Sequence, residues 1–345
     1  MSFEHEHLRV ARGPRSGLPI AVAVHSTRLG PALGGCRLWE YPSWEDGIRD
    51  VLRLAAAMTV KCAVAGLPTG GGKSVIAVPP GHRLDAGRRR AALLDLGDLV
   101  DSLGGRYRTA EDVGTSTADM AVVRERTPHV LGLAGEPAEA TARGVFAALE
   151  ATVERVAAGT GLAGLRFAVS GLGQVGSRLA RMLAARGARV TATDVDPAKQ
   201  AVAAEVGAIW AGPREVLTAP TDVFVPAGVG GLLTAEVIAG LRCRAVVGPA
   251  NNQLATDDAD LRLAERGILW APDFVANAGG ALYAILREGD GVDADTLDAR
   301  VRGIGDTVAE LFARAERDGT TPLAAARALA AERLGTEPAV AAQAV

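Results

Sequence analysis

The residues with types and spacing suited to chemistry fall into a few short groups. Lysine occurs only at 61, 73 and 199, against many arginines. Using it at two neighbouring motif positions, Lys61 and Lys73, points to an amine that must give up its proton, which a guanidinium cannot do. A nearby cation lowers an ammonium pKa, so Lys61 beside Lys73 would prepare Lys73 as a base. The plainer alternative is two solvated surface lysines. Lys73 belongs to Gly70-Gly71-Gly72-Lys73-Ser74, where a glycine run would let a small ligand approach the backbone. This is not a phosphate-binding P-loop: that motif needs glycine five positions before Gly72, where Leu67 stands, and Gly66 lies one residue too early. Glu111-Asp112-Val113-Gly114-Thr115 places two acids before a glycine turn, just ahead of a helix, which by itself reads as a solvated turn.

A second chemistry is nucleotide binding. Gly171-Leu172-Gly173-Gln174-Val175-Gly176 follows an apolar strand and opens an amphipathic helix, Val175 to Arg186. Gly171 would allow the tight turn, Gly173 the approach of a pyrophosphate, and Gly176 close packing of helix on strand, with the helix N-terminus attracting phosphate. The following strand ends at Asp194, where a carboxylate would bind the adenine-ribose 2′-hydroxyl and repel a 2′-phosphate, favouring NAD over NADP. Asn251-Asn252-Gln253 and Asn277-Ala278-Gly279-Gly280 follow later strands, at the sheet edge where ligands bind, although each also reads as an ordinary loop.

Elements must position these groups. Ile20 to Val24 reads as a strand. Ser43 with Asp46 reads as a capping box opening a helix toward Val64, with Leu52, Ala55, Ala56 and Val60 on one face. Gly66 to Gly72 breaks the pattern, Val75 to Val78 is a buried strand, and Arg89 to Leu103 and Thr117 to Arg126 are helices. A helix from about Thr141 leads into Leu165 to Ser170, after which strands near Val190, Ile209, Val223, Val246 and Ile268 alternate with helices. Such alternation predicts a parallel, doubly wound sheet. The tail carries only helical patterns, Asp295 to Arg317 and Thr321 to about Leu334, expected to pack back over the first domain and leave a ligand cleft.

Composition bounds the function class. The chain of 345 residues is 48% hydrophobic, enough for two buried cores. A net charge of −3 with interspersed signs excludes a basic stripe for nucleic acid. Cys36, Cys62 and Cys243 form no CxxC or Cys/His arrangement, so neither a disulfide framework nor a metal site is signalled, and a reducing, cytoplasmic setting is expected. Met1 to Val10 lacks the apolar core of a signal peptide, and charges interrupt every apolar stretch before it could span a membrane.

Taken in order, Pro31 to Arg37, Met58 to Lys61, Leu67 to Ile76, Glu111 to Thr115, the glycine fingerprint, Ala250 to Gln253 and Ala271 to Gly280 resemble the leucine/phenylalanine/valine dehydrogenase group of the glutamate dehydrogenase superfamily. The resemblance implies an α/β fold with an N-terminal substrate-binding and oligomerisation domain (1–135), a Rossmann domain for NAD (136–277), and C-terminal helices returning to the first domain (278–345). It implies a homo-oligomer, dimer or higher, acting on a small amino acid. Lys61 and the Gly34-Gly35 backbone would hold the substrate carboxylate with Asn277 assisting; Lys73 would be the general base and Asp112 the proton carrier. Thr141 and Asn252 would meet the nicotinamide end, and Gly171, Gly173, Gln174, Val175, Gly176, Asp194 and Ala227 the rest of the NAD. The side-chain pocket would be Leu33, Ala110, Ala281 and Ala284, all apolar, so a glutamate carboxylate would lack a partner. The small Ala281 and Ala284 leave room for an aromatic side chain in preference to leucine or valine. Pro249 departs from the family pattern by stiffening the loop before Ala250, as does the Glu136 to Arg143 segment. Alternatives within the same fold are an enzyme retuned to an unusual biosynthetic amino acid and a catalytically silent NAD-binding protein.

Overall fold

A computed structural model describes residues 4–133, 135 and 137–336; residue 136, where the second domain was expected to begin, lies outside them. The chain forms two compact units. The first contains the residues up to Gly135, Ala284–Gly291 and the chain from Ala330; the second contains the residues from there to Tyr283 and Val292–Leu329.

In the first unit the elements are β1 (His7–Arg12), β2 (Pro19–Ser26), β3 (Ala32–Glu40), α1 (Trp44–Val64), β4 (Gly70–Val78), α2 (Ala86–Asp101), β5 (Tyr107–Glu111) and α3 (Thr117–Arg124). The sheet order is β1-β2-β4-β3-β5, with β1, β2 and β4 antiparallel to one another in turn and β3 parallel to both β4 and β5. One face buries Leu18, Ile20, Cys36, Ile76 and Tyr107 against Leu93 and Leu96 of α2 and Met120 and Val123 of α3. The other face takes α1, whose Val51 and Ala55 pack with Val75 and Ala77. Each such side chain fully buried contributes about 1.5–3 kcal/mol for the larger aliphatics.

The capping box at Ser43 is present. Ser43 Oγ accepts from the Asp46 amide at 3.2 Å and Asp46 Oδ2 accepts from the Ser43 amide at 3.1 Å. The buried stripe of α1 differs from the sequence expectation: Val51, Leu54, Ala55, Thr59 and Cys62 are buried, whereas Leu52, Ala56 and Val60 are half-buried. The reason is the glycine run, which is not a loop. Gly70–Gly72 opens the fully buried strand β4, and a Cβ on Gly71 would run into the backbone nitrogen of Thr59. Bare strand backbone thus turns Thr59 inward and lets helix and sheet approach closely. On the opposite side a Cβ on Gly34 would strike the Gly72 carbonyl.

The second unit opens with α4 (Pro137–Val156). Its sheet strands are β6 (Arg166–Ser170), β7 (Arg189–Thr193), β8 (Ile209–Trp210), β9 (Val223–Pro226), β10 (Ala245–Val246) and β11 (Leu269–Trp270). They are interleaved with α5 (Gln174–Ala185), α6 (Gln200–Glu205), α7 (Glu215–Thr218), α8 (Ala235–Gly240) and α9 (Ala259–Glu265), and followed by α10 (Asp273–Ala276), α11 (Gly279–Leu282), α12 (Ala294–Asp318) and α13 (Pro322–Leu334). All strands are parallel in the order β11-β10-β9-β6-β7-β8, the doubly wound arrangement, with its switch point between β6 and β9.

The tail divides rather than returning to the first domain as a block. Ala284–Gly291 and the chain from Ala330 belong to the first unit, where Arg333 Nη1 donates to the Ala63 carbonyl at 2.9 Å. Helix α12 belongs to the second because its stripe of Val301, Ile304, Val308, Leu311 and Phe312 is buried, and a Cβ on Gly144 of α4 would meet Ile304 Cδ1 at 2.5 Å. No helix of the described residues is long and apolar enough to cross a membrane.

Replacing Gly71 by Ala forces α1 off β4, with the cost of overpacking a tight core, about 1–3 kcal/mol or more. Gly71→Ala is expected to lower the urea midpoint at unchanged slope; an unchanged midpoint would contradict the close approach.

Candidate functional site

Sheet alternation builds the first part of the site. Leu33 pairs with both Gly71 and Arg108, and Gly35 pairs with Ala110. Leu33, Gly35 and Arg37 of β3, Gly71 and Lys73 of β4, and Arg108 and Ala110 of β5 therefore share the α1 face, and Asp112 follows directly from β5. Gly35 makes room for that turn, since a Cβ there would lie 2.7 Å from Asp112 Cβ. Gly114 adopts φ +81°, where a side chain would be strained. The turn is tied down by Thr115, whose Oγ1 accepts from the Asp112 amide at 2.9 Å and donates to the Cys36 carbonyl at 2.8 Å. On the other face Tyr107 OH donates to the Gly34 carbonyl at 2.6 Å.

Lys73 is only 5% exposed, and its Nζ lies 3.0 Å from Asp112 Oδ1. Burial pushes its pKa below that of an ordinary lysine; the Asp112 charge and hydrogen bond oppose this, and the Arg37 charge adds to the lowering. Burial pushes the Asp112 carboxyl up, but Lys73 and Arg37 outweigh it and hold the group below the usual carboxylate range. A carboxylate held ionised beside an amine whose proton burial loosens is a pair that can pass protons.

Arg37 was not singled out as a functional residue in the sequence. Its Nε donates to Asp112 Oδ2 at 3.1 Å and its Nη1 to Asp50 Oδ2 at 2.9 Å. Asp50 is held in turn by Tyr41 OH at 2.7 Å and Arg53 at 2.8 Å. Arg108 was also missed, although its place two residues before Ala110 on an alternating strand put it on the same face. It places a charged residue beside Leu33 and Ala110 on that face. Lys61 stands half-buried in the last turn of α1, and Ala284 starts the first-unit segment that continues a π-helical turn, Tyr283–Gly289.

The second unit carries the remaining residues. Gly171 has φ +112°, and a Cβ there would meet the Gly228 amide nitrogen at 2.6 Å and the Ala227 carbonyl carbon at 2.7 Å, so the turn and the end of β9 touch across the switch point. A Cβ on Gly176 would strike the Gly171 carbonyl, whereas one on Gly173 would meet nothing within 4 Å. Gly173 caps α5 without a side-chain hydrogen bond, leaving the amides of Gln174 and Val175 at the helix start for an anion. Asp194 Oδ2 accepts from the Leu172 amide at 2.6 Å, which fixes the carboxylate beside the turn. These residues fit a dinucleotide: open space over Gly173, free amides, and an acid at the end of β7.

The loop after β10 is braced by a buried glutamine. Gln253 Nε2 donates to the Gly248 and Ala250 carbonyls at 2.8 and 3.1 Å, and Trp270 Nε1 donates to its Oε1 at 3.0 Å. Asn277 Nδ2 donates to the Pro249 carbonyl at 3.1 Å and to Asn251 Oδ1 at 2.7 Å. Pro249 thus keeps the acceptor the loop uses. Asn252, with φ 52°, is the one non-glycine residue with positive φ among those described. Thr141 Oγ1 donates to the Pro137 carbonyl at 2.8 Å, and a Cβ on Gly280 would lie 2.9 Å from it. Ala281 follows in α11. Among the described residues no group of three His, Cys, Asp or Glu side chains is placed to hold a metal ion.

Known proteins match both units. Residues 10–129 fit the family described as Glu/Leu/Phe/Val dehydrogenase, dimerisation domain, and residues 132–205 and 194–336 fit Glutamate/Leucine/Phenylalanine/Valine dehydrogenase. The chain belongs to the Glu/Leu/Phe/Val dehydrogenase family. Leucine dehydrogenase of Thermoactinomyces intermedius is 38% identical over 336 residues, covering 95% of this chain and 90% of that one. Valine dehydrogenase of Streptomyces virginiae is 40% identical, covering 94% and 92%. The crystal structure of L-tryptophan dehydrogenase from Nostoc punctiforme superposes with a TM-score of 0.85 at 36% identity, covering 96% of each chain.

Asp112→Asn would remove the charge that raises the Lys73 ammonium while burial and Arg37 continue to lower it. The rate at which an amine-directed acylating reagent modifies Lys73, followed by peptide mass spectrometry, should reach half-maximum at lower pH in this variant. A midpoint that stays put or rises would show that Asp112 does not govern the amine.

Proposed function

We propose that this chain catalyses the reversible, NAD-dependent oxidative deamination of an apolar L-amino acid, an aromatic one ahead of leucine or valine, to its 2-oxo acid and ammonia. The observation that carries the reading is the buried Lys73–Asp112 pair at 3.0 Å. NAD, when bound, supplies the hydride acceptor. Gly171, Gly173, Gln174, Val175, Gly176, Asp194 and Ala227 would hold it, with Thr141 and Asn252 at its nicotinamide end, and the Asp194 carboxylate would disfavour a 2′-phosphate.

The chain's own residues account for the proton chemistry. The substrate nitrogen must be neutral before the α-hydrogen can leave as hydride, and Asp112, held ionised by two cations, takes up that proton. Lys73 in its neutral form removes a proton from the water that adds to the resulting iminium carbon. Asp112 returns a proton to the departing nitrogen and, ionised again, takes the hydroxyl proton as the C–N bond breaks, so ammonia leaves and the carbonyl forms. Lys61 and the Gly34-Gly35 backbone would bind the substrate carboxylate, with Asn277 assisting, and Leu33, Ala110, Ala281 and Ala284 would receive its side chain. The family description of the first unit as a dimerisation domain supports a homo-oligomer formed through it. The described cysteines are all free, in keeping with a cytoplasmic setting.

NADH appearance with phenylalanine, tryptophan, tyrosine, leucine, valine and glutamate tests the reading. Turnover is expected with aromatic substrates first, and kcat/KM should rise with pH as Lys73 loses its proton. Lys73→Met should lower kcat by about 10²–10⁴-fold, the usual worth of a positioned base. Folded, NAD-binding protein silent across the panel would overturn the proposal in favour of a catalytically silent NAD-binding role.

A further inference from the structure

Arg108 is a second guanidinium, besides Arg37, on the sheet face that carries Lys73. Its neighbours in β5, Tyr107 and Thr109, are buried on the opposite face, while Arg108 shares the Lys73 face with Leu33 and Ala110. Its head reaches the first-unit segment that begins at Ala284. A Cβ on Gly289 would lie 3.2 Å from Arg108 Nη1, 3.4 Å from the Ala284 carbonyl and 3.8 Å from Leu131 Cδ2. The guanidinium therefore lies against the segment that Ala284 begins.

Nothing among the described residues answers it. Arg108 Nε is buried without a hydrogen-bond partner. The acids around it are engaged elsewhere. Glu288 accepts from the Gly132 and Leu133 amides at 2.7 and 2.8 Å. Both Asp112 oxygens are taken by Lys73 and Arg37. Glu111, on the other face, accepts from Thr117 Oγ1 at 3.1 Å. A partly buried cation with an unanswered donor is costly unless a ligand supplies the acceptor.

We propose that Arg108 is a specificity-determining residue that holds an oxygen acceptor at the far end of the substrate side chain, so that among aromatic L-amino acids the favoured one bears a ring carboxylate, carbonyl or hydroxyl, in place of the wholly apolar side chain that Leu33, Ala110, Ala281 and Ala284 by themselves would select. This rests on reading the site as that of an amino-acid dehydrogenase. The planar guanidinium can lie against an aromatic ring and donate in a fork to an oxygen beyond it. The small side chains of Ala110 and Ala284 leave space for such a ring beside it. A site built to bind a polar substituent rejects the analogue that lacks it far more strongly than an apolar pocket separates substrates differing by a methylene.

The test compares kcat/KM for L-phenylalanine, L-tyrosine and 4-carboxy-L-phenylalanine in the wild-type enzyme, Arg108→Met and Arg108→Lys. The wild type should favour 4-carboxyphenylalanine over phenylalanine by at least about tenfold, as a charge-assisted pair allows. Arg108→Met should reverse that order, and Arg108→Lys should fall between. The wild-type ratio alone decides the matter if a variant does not fold. Preference for phenylalanine in the wild type, or a ratio that Arg108→Met leaves unchanged, overturns the role of Arg108 with the deamination reading intact. Absence of NAD reduction with all three and with leucine and valine overturns both.

Discussion

An ammonium group taken out of water must be compensated where it stands, and in this protein the compensation of Lys73 organises much of the first unit. The carboxylate that faces it comes from another strand end, so β4, β3 and β5 must lie close and in register. Gly34, Gly35, Gly71 and Gly72 permit that closeness by having no side chains to separate backbone from backbone. The charge then spreads outward, from Lys73 to Asp112, to Arg37, to Asp50, and so to Tyr41 and Arg53. Helix α1 supplies Asp50 and Arg53 as well as the apolar cover over β4, which couples its packing to the electrostatics of the amine. Removing one member of such a buried network leaves its neighbour's charge uncompensated, which costs more than the pair itself contributes.

The second unit solves a different problem, presenting unsatisfied backbone amides without collapsing onto them. Gly171 and Gly176 hold the turn against β9 and against the chain's own backbone, while Gly173 opens to free space. The Asp194 carboxylate ties the Leu172 amide, which stiffens the glycine turn at the start of α5. The next loop is held from below by Gln253, which satisfies two carbonyls and takes the indole proton of Trp270.

Legibility in the sequence followed the range of the interactions. The capping box at Ser43, the strand-turn-helix of the fingerprint and the strand–helix alternation of a parallel sheet are local or periodic, and the residues announced them. Lys73 and Asp112 stood out because lysine is scarce and acids before a glycine turn are conspicuous. What was not legible depends on contacts between distant strands. The glycine run read as a loop because glycine ordinarily weakens a strand; only its neighbours on both faces show why bare backbone is needed there. Lys61 was read as the cation beside Lys73, whereas Arg37, which donates to Asp112, was not singled out, because that relation requires the β3–β5 pairing. Arg108 was hidden because one charged residue on an edge strand reads as solvent-facing. The tail divided because α12 carries its own apolar stripe matched to α4, which no single segment discloses.

The glycines also set where variation in this scaffold is open. With Gly34, Gly35, Gly71 and Gly72 forming the base of the first-unit site, that base is peptide backbone with no side chain to exchange, and each added methyl group meets a neighbouring strand or helix. Any descendant of this protein, natural or engineered, that reshapes its ligand must therefore do so from the sides, at positions such as 33, 108, 110 and 284. The depth of the recess is inherited with the fold; its width and polarity remain open to change.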